Sequence, residues 1–303
     1  MKQKIIVIAG PTAVGKSGLA VDIAKRFNGE IISADSVQIY KGADIGSAKI
    51  KTSEMQGIPH HLIDIKQINE TFSAGDFAKI ASKVINDIIL RGKLPIIVGG
   101  TGLYINALLF PLTASCPPNP ELREKLYNIK GSRGNDVLYQ MLQKIDPASA
   151  ETIHPKQTDR IVRAIEIYQT SGIKKSDLVK TTDSKYDYLY FVLNLEREAL
   201  YDRINQRVDL MINEGFENEV KSLIKNDNLN AKSPLLSAIG YREMFNYING
   251  DTTLNDCIAQ IKMHSRNYAK RQITWFKKTP KAIFVNANDE KKIMSQIKEF
   301  INE

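Results

Sequence analysis

The segment KIIVIAGPTAVGKS, residues 4–17, sets the tightest limit on what this chain can fold into. A β-branched run, Ile5 to Ala9, leads into Gly10, Pro11, Thr12, Ala13, Val14, Gly15, Lys16 and Ser17, which fit G-x-x-x-x-G-K-[ST]. Behind them Leu19, Ala20, Ile23, Ala24 and Phe27 recur on a helical period. Strand, glycine loop and helix gather backbone N–H groups and the positive end of a helix dipole around one hollow, which suits phosphate. Gly10 and Gly15 permit the close backbone approach this requires. Lys16 adds a charge, and the Ser17 hydroxyl is of the kind that holds Mg2+. The segment predicts a polyphosphate site without saying whose phosphate it takes. A glycine turn with no ligand is the structural alternative.

The next segments extend the strand–helix alternation. Glu30–Ala34 reads as a second strand ending at Asp35, and residues 60–65 (HHLIDI) as a third. Ser73 opens a helix whose apolar face carries Phe77, Ile80, Ala81, Val84, Ile85, Ile88 and Ile89. Leu94–Val98 is a further strand, broken by Gly99-Gly100-Thr101-Gly102. This alternation predicts an α/β fold, a P-loop NTPase-like parallel sheet flanked by helices. Ligands of such sheets bind outside the carboxyl ends of the strands. The loop at 10–17, Asp35 and Thr101 all fall on that edge.

Pro111, Pro117, Pro118 and Pro120 then mark a boundary. Residues 116–185 read as an all-helical insertion carrying Arg123, Lys125, Lys130, Lys144, Lys156, Arg160 and Arg163. Residues 1–115 and 186–303 form the P-loop core, with a returning strand at 188–195 and helices over 198–214, 217–225, 238–248 and about 253–277. A last strand at 279–285 and a helix at 290–301 end the pattern.

Lysine and arginine outnumber aspartate and glutamate, 42 to 34, and the net charge of +8 favours a polyanionic partner. Two cysteines, Cys116 and Cys257, exclude a disulfide framework, and His60 and His61 lack companions for a zinc site. No apolar stretch approaches the length of a membrane span, and the first apolar run is too short for a signal peptide. A cytoplasmic protein with no membrane partner is expected.

Several side chains are candidates for chemistry. Asp35 can bind Mg2+ or accept a proton from a nucleophile, and it can equally cap a turn. Thr101 reads locally as a turn residue of the GGTG loop, but the closeness of that loop to residues 10–17 and a polyphosphate's need for further donors favour a hydroxyl that bonds a phosphate oxygen or a leaving group. Arg160 and Arg163 share a helix face and suit phosphate, unless they lie solvated or pair with Glu166. Arg203 and Arg207 carry the same two readings, and a guanidinium in the site would neutralise a departing pyrophosphate. In HSRNYAKRQITWFKK (264–278) cations alternate with Tyr268, Trp275 and Phe276. That pattern is compatible with single-stranded nucleic acid, the alternative being a helix with core aromatics and solvated charges.

Read in order, GPTAVGKS, ADSVQIYKGADIGSAK, PHHLIDI, FSAGDF, PIIVGGTGLY, DPASAETIHPKQTDRIVRAIEIY, RINQRVDLMINEGFENEV, IGYREM and NYAKRQITWF resemble the tRNA dimethylallyltransferases of bacterial type. The likeness runs from about residue 4 to residue 278. It implies transfer of the dimethylallyl group from dimethylallyl diphosphate to N6 of the adenosine 3′-adjacent to the anticodon (position 37), in tRNAs reading codons that start with U. The partners implied are the anticodon stem-loop of tRNA and dimethylallyl diphosphate, with Mg2+ as cofactor and a monomer as the expected state. By position, Asp35 is implied as the general base and Thr101 as the residue bonding the bridging oxygen. Lys16 and Arg207 are implied as stabilisers of the departing charge, with Mg2+ at Ser17. The resemblance further implies that Gly10 to Ser17 hold the diphosphate, a nucleotide-binding (ATP-type) motif turned to another use. Asp35, Ser36, Val37, Gln38, Thr101, Arg123, Asp159, Arg160, Ile161, Val162 and Arg163 match tRNA-contacting positions. Two other classes remain open on the loop and sheet alone: a P-loop kinase of a small molecule, and a non-catalytic RNA-binding NTPase switch. Neither accounts for VGGTGLY or AKRQITWF.

Overall fold

The computed structural model describes residues 2–111, 116–178 and 183–302. Its contacts divide the chain into two units, Met1–Leu109 with Lys185–Glu303, and Phe110–Ser184. The expected boundary at residue 115 lies outside the described residues.

The first unit is built on six strands: β1 (Gln3–Ala9), β2 (Gly29–Ser33), β3 (His60–His61), β4 (Leu94–Gly99), β5 (Tyr186–Asn194) and β6 (Ala282–Asn286). All pair in parallel, in the order β3-β2-β4-β1-β5-β6. This is the expected doubly wound sheet. β1 sits between β4 and β5, with Ile6 opposite Ile96 and Val7 opposite Tyr190. Ile5 to Ala9 are fully buried, which is why the run is apolar throughout and does not alternate.

Helices α1 (Lys16–Arg26), α2 (Thr52–Met55), α3 (Ala74–Leu90) and α4 (Gly102–Leu109) complete the first half. α3 starts where the sequence indicates: the Ser73 hydroxyl accepts from Asp76 N at 3.1 Å, and Asp76 Oδ2 accepts from Ser73 N at 2.9 Å. Two local readings are corrected. The third strand is only two residues long, because Leu62 and Asp64 take positive φ and turn the chain away from the ladder. The GGTG segment does not merely break a strand, since α4 begins at its last glycine.

In the second unit, α5 (Pro120–Arg133), α6 (Asn135–Ile145), α7 (Pro147–Thr152) and α8 (Thr158–Ser171) pack around Leu126, Leu138, Leu142, Ile161 and Ile165. The chain then returns to the first unit with β5, followed by α9 (Arg197–Asn213), α10 (Phe216–Asp227), α11 (Tyr241–Ile248), α12 (Leu254–Phe276) and the terminal α13 (Glu290–Asn302). α9 to α12 and the 39–43 segment share a second apolar core, which includes Ile39, Val208, Phe216, Tyr241 and Ile261. Among the described residues no helix is long and apolar enough to cross a membrane.

Candidate active site

β1, β2 and β4 end side by side, Ala9 opposite Gly99 and Ser33 opposite Val98, and so deliver three loops to one edge. The first is the 10–17 loop. Gly15 caps α1 at φ 99°, a conformation that disfavours a side chain. α1 has no side-chain cap and no acidic residue in its first turn, so its leading N–H donors face the hollow without an internal acceptor. Lys16 Nζ donates to the Pro11 carbonyl at 2.7 Å, folded back on its own loop.

The second loop carries Asp35. Its Oδ1 accepts from the backbone N–H of Val37 at 2.8 Å and of Gln38 at 3.3 Å, so the turn-cap reading holds. Among the described residues Oδ2 has no hydrogen-bond partner, so the same carboxylate still offers a free oxygen. Gln38 is held in turn by Ser33, whose hydroxyl donates to Oε1 at 3.1 Å.

The third loop carries Thr101. Its Oγ1 accepts from Ser36 N at 3.0 Å and lies 3.3 Å from Ser36 Oγ, while its N–H donates to the Ala34 carbonyl at 3.2 Å. The Asp35 and Thr101 loops are therefore fastened to each other.

α9 adds Arg207. One guanidinium nitrogen donates to Thr12 Oγ1 at 2.8 Å and the other to the Ser47 carbonyl at 3.1 Å. Burial lowers the pKa of Lys16 to about 8, against the attraction of Asp35 and with the repulsion of Arg207. Arg207 is lowered too, again by burial and against the pull of Asp35. Two cations and one carboxylate are thus gathered at one spot, with the cations destabilised until an anion arrives.

Two cavities meet there. One, of about 410 Å3, is lined by the glycine loop, Lys16, Ser17 and Arg203. The other, of about 450 Å3, has apolar and aromatic walls that include Tyr40, Phe72, Tyr104, Met211 and Ile261. Thr12, Asp35, Ser47, Arg207 and Tyr268 line both. The arrangement offers a polar hollow for a polyphosphate, an apolar chamber beside it, and a carboxylate, a hydroxyl and a guanidinium at the junction.

The sequence marks Tyr268 only as one aromatic of a basic run, and it does not mark Gln272 at all. Both lie on α12 within the 264–278 run, whose aromatics have separate fates: Phe276 is core, Trp275 is partly exposed, and Tyr268 faces the cavities. Burial pushes the Tyr268 hydroxyl up to about 12, with Asp35 adding to the shift. The signal available was spacing, since Ile261, Ser265, Tyr268 and Gln272 form one stripe along a helix. His61 bonds the buried Glu30 at 2.7 Å, a structural role. His60 lines the polar cavity.

The second unit holds the other named residues. Glu166 is fully buried and accepts from Arg123 Nε at 2.9 Å, Arg163 Nη1 at 2.6 Å and Asn119 N at 2.6 Å. Those hydrogen bonds outweigh its burial and hold its carboxyl below the usual range. Arg123 and Arg163 are thus both paired with one carboxylate. Ile161 and Val162 belong to the core of this unit, while Asp159 and Arg160 are exposed.

Comparison with known proteins adds the following. The sequence model of the family described as IPP transferase matches residues 38–279. The tRNA dimethylallyltransferase of Bacillus pumilus (strain SAFR-032) is 46% identical over 279 residues, 91% of this chain and 87% of that protein. That of Halalkalibacterium halodurans is 44% identical over 308 residues, 99% of this chain and 97% of that protein. Among solved structures, the tRNA isopentenylpyrophosphate transferase from Bacillus halodurans superposes with a TM-score of 0.73 at 43% identity, covering 99% of this chain and 96% of that one. A eukaryotic dimethylallyltransferase acting on tRNA gives 0.85 at 32% identity, covering 99% and 80%.

Proposed function

This chain belongs to the IPP transferase family, and from that premise we propose that it transfers the dimethylallyl group of dimethylallyl diphosphate to N6 of the tRNA adenosine 3′-adjacent to the anticodon, at position 37. The tRNAs so modified are those reading codons that start with U, and the enzyme acts as a cytoplasmic monomer. The observation that carries the reading is the pair of cavities sharing Asp35, Thr12, Arg207 and Tyr268. The polar hollow takes the diphosphate and the aromatic chamber takes the target base. The prenyl carbon then crosses between them at the junction.

In the reaction the allylic C–O bond breaks, the diphosphate leaves with the electron pair, and a new C–N6 bond forms. Charge grows on the leaving group, so donors aimed at it are the main lever. The glycine-loop N–H groups, Lys16 and Arg207 supply that charge compensation. Thr101 donates its hydroxyl to the bridging oxygen. The exocyclic amine is a weak nucleophile, and Asp35 Oδ2 takes its proton as the bond forms. The Ser17 hydroxyl, on the polar cavity next to Lys16, suits Mg2+, which keeps most of its waters and draws other ligands from phosphate. Ser17 would hold it there, and when bound it supplies further neutralisation of the diphosphate. The apolar walls keep water from the developing allylic cation.

The target base must leave its stack, and loop nucleotides are the cheapest to extrude. Asp35 to Gln38 and Thr101 meet that nucleotide. Arg123, Asp159, Arg160 and Arg163 serve RNA from the second unit, where Ile161 and Val162 set the position of α8.

The test is to incubate the protein with dimethylallyl diphosphate, Mg2+ and an unmodified anticodon stem-loop, and to weigh the RNA. The reading expects the added prenyl mass on one adenosine, lost in Asp35→Ala. Absence of product from the wild type, or equal product from both proteins, would overturn it.

A further inference from the structure

α12 lies far in sequence from the two loops that bear on the diphosphate, yet one of its side chains touches both. Gln272 is 5% exposed. Its Oε1 accepts from the backbone N–H of Thr12 at 3.0 Å, and its Nε2 donates to the Gly100 carbonyl at 2.9 Å. A primary amide is suited to this, since one planar group accepts on one side and donates on the other. Gly100 accommodates it: a Cβ there would sit 2.3 Å from Gln272 Nε2. Both bonded residues adjoin groups with assigned roles. Thr12 carries the hydroxyl that receives Arg207, and Gly100 precedes Thr101. Gln272 also lines the polar cavity.

We propose that Gln272 is a positioning residue that staples the glycine loop to the Thr101 turn, so that both sets of donors bear on one leaving group in one geometry. This rests on the prenyl-transfer reading above. The physical argument is registration. The loop N–H groups hold the terminal phosphates and the Thr101 hydroxyl meets the bridging oxygen, and the second is effective only if it sits correctly relative to the first. Misplacement of a catalytic group by about 1 Å costs on the order of a hundredfold in rate. The bridge also uses the Thr12 N–H internally, so this amide serves loop geometry and is not a phosphate donor. Ground-state binding then rests on the other amides, Lys16 and Arg207, all of which remain when Gln272 is removed.

The consequence is a split between kinetic constants. Gln272→Ala should lower kcat by about 10- to 100-fold while the KM for dimethylallyl diphosphate stays within about threefold. Gln272→Glu keeps the size and the acceptor for Thr12 but loses the donor to Gly100, and should show the same split. The decisive measurement is a double-mutant cycle with Thr101→Ala. If Gln272 acts through the Thr101 turn, Gln272→Ala in the Thr101→Ala background should cost less than about threefold. Full additivity, or a loss confined to KM, overturns the proposal. Amide hydrogen exchange on the substrate-free protein separates this from failure of the prenyl-transfer reading. Exchange over residues 10–17 and 99–102 should quicken in Gln272→Ala while the strands keep their protection. Unchanged exchange in those two segments overturns the staple whatever the enzyme transfers.

Discussion

Arg207→Ala is the substitution whose effect the site defines most closely. The guanidinium is held by Thr12 Oγ1 at 2.8 Å and the Ser47 carbonyl at 3.1 Å, and burial lowers its pKa. It is therefore a fixed, partly desolvated cation at the junction of the two cavities. A preorganised donor of this kind, aimed at a developing oxyanion, is worth about 10²- to 10³-fold in kcat, or roughly 3–4 kcal/mol of barrier. A compensating effect runs the other way. Arg207 is one of the causes that lower the Lys16 pKa, so its removal lets Lys16 hold its proton more firmly in the free enzyme. Ground-state binding of the diphosphate is thereby partly restored, and the KM for dimethylallyl diphosphate should rise by less than about tenfold. Arg207→Lys keeps the charge but not the fork, and should recover only part of the rate. Rapid-quench single turnovers on an anticodon stem-loop, at saturating donor, measure the chemical step. An Arg207→Ala protein with kcat within threefold of wild type and its whole defect in KM would show that this cation serves the ground state only.

The Lys16 pKa of about 8 predicts a pH dependence of binding, because the folded, empty site loses the lysine charge as pH rises through that value. Affinity for dimethylallyl diphosphate should fall by about tenfold per pH unit between about pH 8.5 and 9.5, read by titration calorimetry, and Lys16→Met should flatten the slope. The same shift bears on stability. The unfolded chain binds this proton more tightly than the native one, so the penalty is fully present below pH 8 and is relieved as pH rises toward 10.5, by about 3 kcal/mol. Glu219 accepts the N–H groups of Asp44, Ile45 and Gly46 at 3.0, 2.6 and 3.1 Å and the Tyr241 hydroxyl at 2.7 Å. Glu219→Ala strips those donors of their acceptor and should cost about 2–4 kcal/mol, a fall in Tm of roughly 4–12 °C in a thermal melt. Arg123→Ala removes a two-point contact to the buried Glu166 and should cost about 1–3 kcal/mol in denaturant unfolding, in addition to any loss of RNA affinity. An unchanged midpoint would show that the pair contributes nothing to the second unit.

Local pattern made the P-loop core legible. Residues 10–17 announce their strand, loop and helix because glycine, lysine and β-branched positions are each confined by backbone geometry. Asp35 and Thr101 were reachable because strand spacing implies a parallel sheet, and a parallel sheet collects its loops at one edge. What stayed hidden depends on tertiary contact. GGTG read as a breaker, whereas its last glycine starts α4 against the apolar core. Arg203 and Arg207 look alike in sequence, and only packing sends Arg207 to Thr12 and leaves Arg203 at the wall of the polar cavity. Gln272 carries no signal of its own, since a glutamine in a basic helix is ordinary until its amide is seen between Thr12 and Gly100. Glu219 was invisible for the same reason: its partners are backbone N–H groups of residues 44–46, some 170 positions away.

In this enzyme the proposed role of the glycine loop is to grip a leaving group and not a nucleotide to be hydrolysed. Counting phosphorus products during turnover tests it most directly. With dimethylallyl diphosphate, Mg2+ and the stem-loop, one inorganic pyrophosphate should be released for each prenylated adenosine formed, with added ATP left intact. Release of ADP or orthophosphate from ATP, with no alkylated adenosine, would contradict it and return the loop to the kinase reading.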